Sequence, residues 1–374
     1  MRVLHAVTLH SPSHAFGGPV RVALNLAKGL RERGHEAALV ALGEGFGDPM
    51  PTSVEGVPAK LFPARRLLPL GFSGMTSPAL LAAAGRLVRD ADLVHVHLAR
   101  DLVTLPVALA ALRAGTPLVL QTHGMVDPSD KALAKLLDAL AVRRVLRGAG
   151  AVLYLTPHER EGLDAVVGAG GLASAVRLVN GVPGQAGPRP EPSGAPRILY
   201  AARLQARKRP VDFVDAAPAV LAEHPDAHFV LAGPDEGETA AARARIAELG
   251  LADAFTVPGA LGSERVLEEL RRAHVYVLPS VDEPFPMSVL EALSVGVPTV
   301  VTHSNGLARP IAEAGAGRAV EPGPGPVAKA MLDLLDPTTN AAASRAAREL
   351  AADSYSMDAV LDTLLSVYTR VRGR

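Results

Sequence analysis

Short apolar runs alternate with amphipathic stretches along the first half of the chain. Runs of strand length occupy residues 2–9, 37–42, 93–98, 117–121 and 151–155. Between the first two runs, residues 20–33 form an amphipathic stretch whose apolar face includes Val22, Leu26 and Leu30. Strands that alternate with helices predict βαβ units and therefore a parallel sheet.

The same alternation restarts after a segment rich in glycine and proline at residues 181–196. Strand patterns recur at residues 197–201, 228–232, 255–258, 275–278 and 299–302, and helix patterns at residues 212–223, 240–249, 264–272 and 288–295. Two doubly wound α/β domains are therefore predicted, residues 1–183 and residues 195–356, joined by a linker. Ligands bind beyond the carboxyl ends of parallel strands, so we expect the chemistry in a cleft between these domains.

Composition narrows the class of protein without identifying its chemistry. The 374 residues are 48% apolar and 20% charged, and a chain of this length exceeds what one hydrophobic core usually supports. The absence of cysteine excludes disulfides and thiolate metal sites. No apolar run is long enough to span a bilayer, and the first residues resemble a strand rather than a signal peptide, so we expect a cytoplasmic protein.

The segment DEPFPMSVLEAL, residues 282–293, predicts a helix whose N-terminus binds an anion. Pro286 suits the first helical position, where its missing N–H is not needed, and the free amides of residues 287–289 then point out of the helix. Glu291, about two turns in, is close enough to accept hydrogen bonds from a ligand's hydroxyl groups. The structural alternatives are that Glu283 only caps the helix and that Glu291 is solvated.

A second cluster, RLQARKR at residues 203–209, falls at the end of the first strand of the second domain. Arg203 offers a planar fork of donors that suits phosphate, and Lys208 offers a mobile point charge. Together they would neutralise a diphosphate. The alternative is a solvated basic turn before a helix.

These two clusters resemble motifs of the family 4 retaining glycosyltransferases. The run E-P-F-x-M-S-x-L-E-A-L resembles the family's E-x7-E motif, with Glu283 and Glu291 in the acidic positions. The run A-R-L-x-x-x-K resembles its G-R-L-x-x-x-K-G motif, with Arg203 and Lys208 in the basic positions.

Upstream motifs extend this resemblance over nearly the whole chain, in the family's order. They are Phe16-Gly17-Gly18, R-G-H-E at residues 33–36, V-H-V-H at residues 94–97 and Q-T-H-G at residues 121–124. The resemblance implies the GT-B fold, in which two Rossmann-like domains face a cleft. The first domain would bind the acceptor, the second the sugar nucleotide, and the final helix, residues 357–374, would pack back on the first.

The resemblance also assigns roles to residues. Its catalytic residues would be Arg203, Lys208, Glu283 and His123. Arg203 and Lys208 would bind the leaving diphosphate, and Glu283 would accept a hydrogen bond from a sugar hydroxyl. His123 would lie over the donor sugar; the alternative is that it only makes a structural hydrogen bond. The implied donor-binding residues are Gly17, Gly18, Phe285, Met287, Ser288, Val289 and, on the ribose, Glu291. Pro286 departs from the family's glycine and has no N–H to offer the donor.

The implied mechanism retains the donor's configuration, with the leaving phosphate taking the acceptor proton. The sequence shows no Ser-His-Asp or cysteine nucleophile pattern. A separate base is not required, although four candidates fall near strand ends: His14, Asp101, His123 and Asp127. His95 and His97 share one face of a strand, but no third metal ligand is evident, so we expect no metal and no required cofactor.

The expected reaction transfers a sugar from a nucleoside-diphosphate sugar to a hydroxyl acceptor on a glycan, a lipid or a small-molecule natural product. UDP is the favoured nucleotide, with GDP as the alternative. Two other functions stay open: a metal-free sugar-nucleotide epimerase of the same fold, and a non-catalytic sugar-nucleotide-binding protein. No nucleic-acid partner is expected, and no oligomeric state is predicted. The basic and apolar stretch at residues 62–72 is an ordinary loop, part of an acceptor pocket, or a contact with a lipid surface at the inner face of the membrane.

Overall fold

The structure is a computed structural model that describes residues 1–12, 17–68, 71–168, 170–184 and 194–373. It divides into two compact units, of which unit 1 comprises Met1–Gly181 and Met357–Arg374, and unit 2 comprises Val182–Ser356. His14, Phe16 and most of the expected linker lie outside the described residues. Both units are α/β with parallel sheets, which confirms the predicted fold class.

The described part of unit 1 contains ten strands and, before its last segment, six α-helices. The strands are β1 (Arg2–His10), β2 (Glu36–Gly43), β3 (Ser53–Val54), β4 (Val57–Pro63), β5 (Arg65–Arg66), β6 (Met75–Thr76), β7 (Leu93–His97), β8 (Leu118–Gln121), β9 (Ala151–Tyr154) and β10 (Ala175–Arg177). The helices are α1 (Gly17–Glu32), α2 (Pro78–Arg89), α3 (Thr104–Ala114), α4 (Ala132–Leu137), α5 (Arg143–Gly148) and α6 (Pro157–Val167).

Eight of these strands form one sheet in the order β10-β9-β8-β7-β1-β2-β4-β3. Its neighbours are parallel except at the β3–β4 edge, and β5 and β6 form a separate antiparallel ribbon. Because side chains alternate along a strand, Leu4 and Val94 face one side of the sheet and pack in a core with α2 and α3. His5 and its register partner His95 therefore face the opposite side.

Unit 2 is built on a six-stranded sheet in which every neighbouring pair is parallel. Its strands are β11 (Arg197–Ala201), β12 (His228–Ala232), β13 (Phe255–Gly259), β14 (Val275–Leu278), β15 (Thr299–Thr302) and β16 (Gly317–Val320), and they lie in the order β13-β12-β11-β14-β15-β16. Its helices are α7 (Pro210–Glu223), α8 (Thr239–Glu248), α9 (Ser263–Arg272), α10 (Met287–Val295), α11 (Ala308–Ala314), α12 (Pro324–Leu335) and α13 (Pro337–Tyr355). Four buried aromatic rings pack together on one side of this sheet: Tyr200, Phe213, Phe229 and Phe255.

The final helix, α14 (Met357–Arg372), belongs to unit 1 and packs against α1. Gly29 makes this approach possible, because a Cβ there would lie 2.3 Å from a methyl carbon of Leu361. Arg33 adds ion pairs to Asp358 at 3.0 Å and to Asp362 at 2.5 Å. None of the described helices combines the length and the apolar character needed to cross a bilayer.

Candidate functional site

Arg203 follows β11 at the carboxyl end of a central strand of unit 2. Its backbone runs close to the end of β12, where Gly233 has a φ of 151° and a Cβ would lie 1.8 Å from the carbonyl oxygen of Ala202. Only glycine fits this crossing. The Arg203 guanidinium pairs with Glu236 at 3.0 Å, and both side chains keep some exposure to solvent.

Lys208 ends a short 3-10 turn, Ala206–Lys208, and is only 7% exposed, which is rare for lysine. Its ammonium donates to the carboxylate of Glu283, which is 8% exposed, and Arg207 lies 3.6 Å from the same carboxylate. Burial lowers the pKa of Lys208 from its ordinary value, although Glu283 opposes the shift. This ion pair ties the turn after β11 to the segment that precedes α10.

The helix α10 begins one residue later than the sequence suggested. Pro286 is its N-cap, with a ψ of 116° that is extended rather than helical, so the prediction of Pro286 as the first helical residue is wrong. Met287 takes that position, and the amides of residues 287–289 form the first turn, which lacks acceptors within the helix. Glu291 is half-buried and lies about one turn from the N-terminus, not two, because an α-helix has about 3.6 residues per turn.

Neighbouring groups of unit 2 fix the side chains around this helix N-terminus. The hydroxyl of Tyr276 lies 2.8 Å from Oγ of Ser288, and the ring of Phe285 meets that of Tyr355 edge-on at 5.8 Å. Val289 is fully buried, so only its backbone can serve a ligand. The structure thus brings Lys208 into contact with Glu283, which lies four residues before the first helical residue of α10.

His123 of unit 1 lies in the turn after β8 with a φ of 52°, a left-handed conformation that costs a non-glycine residue some strain. Glu159 stabilises this turn, because one of its carboxylate oxygens accepts from the hydroxyl of Thr122 and from the amide of Gly124, each at 2.6 Å. Sequence reasoning missed Glu159. The available signal was the capping box T-x-x-E that starts α6, in which the Glu159 amide donates to Thr156 Oγ1.

The two acids of unit 1 considered as bases both have structural partners. Asp101 is buried and accepts hydrogen bonds from the amides of Val103 at 2.9 Å and Thr104 at 2.6 Å, where α3 begins. Burial raises the pKa of Asp101, and these hydrogen bonds oppose the shift. Asp127 is exposed and lies 3.5 Å from Arg100.

Gly17 and Gly18 begin α1, after the carboxyl end of β1. A Cβ placed on Gly18 would have no described atom within 4 Å. The described residues therefore leave space beside this glycine for another group.

Three buried histidines converge in unit 1, and the sequence revealed only two of them as neighbours. The register of β1 and β7 pairs His5 with His95, so His5, His95 and His97 share one face, with candidate ligand atoms within 4.8 Å of one another. The expectation that no third candidate ligand accompanies His95 and His97 is therefore wrong. Strand adjacency supplies His5, and adjacency of distant strands is not visible in a local pattern.

Two α/β units with parallel sheets are the architecture of the GT-B class of glycosyltransferases. Comparison with known families agrees with this class. Residues 17–181 match the model of the glycosyl transferase 4-like domain, and residues 185–350 match that of glycosyl transferases group 1. The chain belongs to the group 1 glycosyltransferase family.

Individual relatives are also glycosyltransferases. The chain is 26% identical to a D-inositol 3-phosphate glycosyltransferase of Streptomyces avermitilis, over 99% of this chain and 86% of that one. It is 27% identical to a GDP-mannose:cellobiosyl-diphosphopolyprenol alpha-mannosyltransferase of Xanthomonas oryzae, over 85% and 82%. The structure of Anabaena HepE in complex with UDP-glucose shares the fold, with a TM-score of 0.76, 19% identity and 99% of each chain covered. The prediction of a glycosyltransferase enzyme is confirmed, and the epimerase and the non-catalytic binding protein are disfavoured.

Proposed function

We propose that this enzyme transfers a sugar from a nucleoside-diphosphate sugar to a hydroxyl acceptor and retains the configuration of the donor. The observation that carries this proposal is the buried Lys208–Glu283 pair next to the start of α10. A buried ammonium and a helix N-terminus both favour an anion, and a leaving diphosphate gains negative charge as the glycosidic bond breaks. Stabilising that charge lowers the barrier to transfer.

Each residue of unit 2 then has a role that its position allows. Lys208 and Arg203 bind the diphosphate, for which Arg203 exchanges its exposed partner Glu236 for phosphate oxygens. Glu283 orients the Lys208 ammonium and accepts from a sugar hydroxyl. Glu291 accepts from the ribose.

The first turn of α10 serves the donor through its backbone, since Met287, Ser288 and Val289 all offer amides there. Phe285 flanks the donor from the segment before the helix. Pro286 offers no N–H, so one donor contact of the family pattern is missing.

Unit 1 supplies the acceptor side of the reaction. Gly17 and Gly18, at the start of α1, allow the backbone to come close to the donor or the acceptor. His123 lies over the donor sugar, in the turn that Glu159 stabilises. Asp101 is committed to the start of α3, which argues against it as a base. The leaving phosphate itself takes the acceptor proton, and the basic residues neutralise the diphosphate without a metal.

UDP is the proposed nucleotide, because the HepE structures that share the fold contain UDP or UDP-glucose. GDP is the alternative, since one relative is named for GDP-mannose. The acceptor belongs to a glycan, a lipid or a small-molecule natural product. Relatives named for D-inositol 3-phosphate and for a diphosphopolyprenol support the last two classes.

The proposal also includes the cytoplasm as the location, with peripheral contact at the inner membrane face through unit 1. Leu67 is 66% and Leu68 40% exposed, beside the exposed Arg65 and Arg66 of β5. Exposed leucines flanked by arginines favour an anionic lipid surface. Wild type should co-sediment with phosphatidylglycerol vesicles, and the Leu67→Ser/Leu68→Ser variant should not. Equal sedimentation of both proteins would contradict this contact.

A donor screen tests the proposed function. A sugar nucleotide at 100 times its Kd stabilises the protein by about 2.7 kcal/mol, which a thermal-shift assay detects. The donors that stabilise the enzyme are then incubated with candidate acceptors, and transfer is followed by release of the nucleoside diphosphate. If no UDP-sugar or GDP-sugar stabilises the protein, or if only an epimer is formed, the proposal is wrong.

A further inference from the structure

Three histidines of unit 1 form a line of short contacts that ends at the proposed donor-facing residue, His123, and a fourth stacks beside the line. His5 Nδ1 lies 3.2 Å from His97 Nε2, and His97 Nδ1 lies 2.8 Å from His123 Nε2. Both are hydrogen-bond distances, so both nitrogens of His97 are engaged. His95 stacks on His97, with ring centroids 4.7 Å apart and 10° between the planes, and its Nδ1 lies 2.7 Å from the hydroxyl of Tyr368.

All four rings are neutral near pH 7. Burial lowers the pKa of His5 and of His123 to about 3, and it lowers the pKa of His95 and of His97 well below the ordinary value. A neutral imidazole carries a single N–H. The chain from His5 through His97 to His123 therefore has only two hydrogen-bond directions.

In one direction, His5 donates from Nδ1 to His97, and His97 donates from Nδ1 to His123, which keeps its own proton on Nδ1. In the other, each proton sits on the opposite nitrogen, and His5 holds a buried Nε2–H for which the described residues provide no acceptor. Among buried backbone groups, an N–H without an acceptor is rarer than a carbonyl without a donor, and we apply the same order to these imidazole nitrogens. The first direction is therefore the more stable one.

The same rings could bind a metal ion, but their geometry favours hydrogen bonds. Tetrahedral zinc with Zn–N bonds of about 2.0–2.1 Å needs nitrogens roughly 3.4 Å apart. His5 Nδ1 and His97 Nε2, 3.2 Å apart, are close to this spacing, so the orientation of the His95 ring decides the question. The rings of His95 and His97 are nearly parallel, so their in-plane lone pairs do not converge on one point.

We propose that His97 is a positioning residue that holds His123 in the tautomer with its proton on Nδ1, and that His5 sets the direction of the chain. His123 makes no hydrogen bond through Nδ1 within the described part of the chain. If His123 lies over the donor sugar, which rests on the proposed function, this Nδ1–H is a fixed donor to a sugar oxygen. A ring in this tautomer cannot take the acceptor proton through Nδ1, which agrees with a mechanism that retains configuration.

Two substitutions of His97 separate positioning from mere packing. An asparagine amide occupies roughly the place of Nδ1, and a glutamine amide that of Nε2. His97→Asn keeps the donor to His123 and should keep kcat within about threefold of wild type, whereas His97→Gln loses it and should lower kcat at least about tenfold with little change in KM. The exposed His158→Gln is the matched control and should leave kcat unchanged.

The tautomer itself is measured without any turnover, by long-range proton–nitrogen NMR of protein labelled with 15N-histidine, with His123→Ala to assign the signal. We expect protonated Nδ1 and bare Nε2 for His123 in wild type and in His97→Asn, and a mixture in His97→Gln. If the enzyme turns over none of the donors tested, the proposed function fails and these spectra still decide the tautomer. A His123 protonated on Nε2 in wild type, full kcat in a folded His97→Gln variant, or stoichiometric zinc in the purified protein would each overturn the proposal.

Discussion

Removal of the Lys208 ammonium shows separately what this residue does for stability and for turnover. The side chains of Lys208 and Glu283 are 9% and 10% exposed, so Lys208→Ala leaves a buried carboxylate without its main partner. Breaking a buried pair in this way costs about 3–5 kcal/mol. Arg207, 3.6 Å away and 42% exposed, can turn toward the carboxylate, so we expect the lower end, about 3 kcal/mol, from urea unfolding.

The neutral double variant Lys208→Met/Glu283→Gln distinguishes the two effects. Replacing a buried ion pair by hydrophobic groups of similar volume is often near neutral, and the glutamine oxygen can still accept from Arg207, 3.6 Å from the present carboxylate. The unfolding free energy of the double variant should therefore return to within about 1 kcal/mol of wild type. Its kcat/KM should stay at least about 100-fold below wild type, because the group proposed to stabilise the leaving diphosphate is absent. The exposed Lys329→Ala on α12 is the control and should change neither quantity.

Initial rates of nucleotide release, measured with whichever donor stabilises the enzyme, give kcat/KM for each variant. Glu283→Gln alone keeps the ammonium of Lys208 and should retain more turnover than the double variant. Wild-type kcat/KM in the stable double variant would refute the reasoning, since Lys208 and Glu283 would then serve the fold alone.

Three further predictions concern other parts of the two units. Burial lowers the pKa of His5 to about 3 in the folded protein, against about 6.5 in the unfolded chain, so its contribution to stability is complete above pH 6.5 and is lost as pH falls toward 3. The loss amounts to about 2 kcal/mol between pH 7 and pH 5, and urea unfolding of His5→Gln should show a loss smaller by that amount. An equal loss in wild type and variant would contradict burial of a neutral ring. Gly233→Ala should destabilise unit 2 by about 3 kcal/mol or more in urea unfolding, because the new alanine Cβ would collide with the carbonyl oxygen of Ala202. A loss of less than about 1 kcal/mol would contradict the close crossing of the two strand ends. Glu291→Gln should raise KM for the donor about tenfold with little change in kcat, since it weakens the proposed hydrogen bond to the ribose. An unchanged KM would exclude that contact.

Local pattern predicted the framework of the sheets and several of the helices. The strands β11, β12, β14 and β15 have the predicted bounds, because continuous apolar runs flanked by turn residues are typical of buried parallel strands. The helices α2 to α6 and α11 to α13 were not predicted, and neither were the strands β4 and β16 or the short strands β3, β5, β6 and β10. Strands of two or three residues carry too few positions to show a period.

The candidate site was predictable only as far as its residues lie in one motif. The basic and the acidic cluster were recognisable, yet their joining through Lys208 and Glu283 depends on the adjacency of β11 and β14, which no local pattern encodes. His5 was missed for the same reason, since it meets His95 only through the pairing of β1 with β7. Pro286 was misplaced by one residue because an N-cap and a first helical position both tolerate proline's fixed φ.

The anomeric configuration of the product tests the central claim most directly. The enzyme is supplied with an α-linked UDP-sugar and an acceptor that supports nucleotide release, and the coupling constant of the product's anomeric proton is read by NMR. The proposed mechanism predicts an α-linked product, because in it the phosphate bound by Lys208 and Arg203 takes the acceptor proton on the face that it leaves. A β-linked product would contradict this account, since it would require a separate base on the opposite face of the sugar.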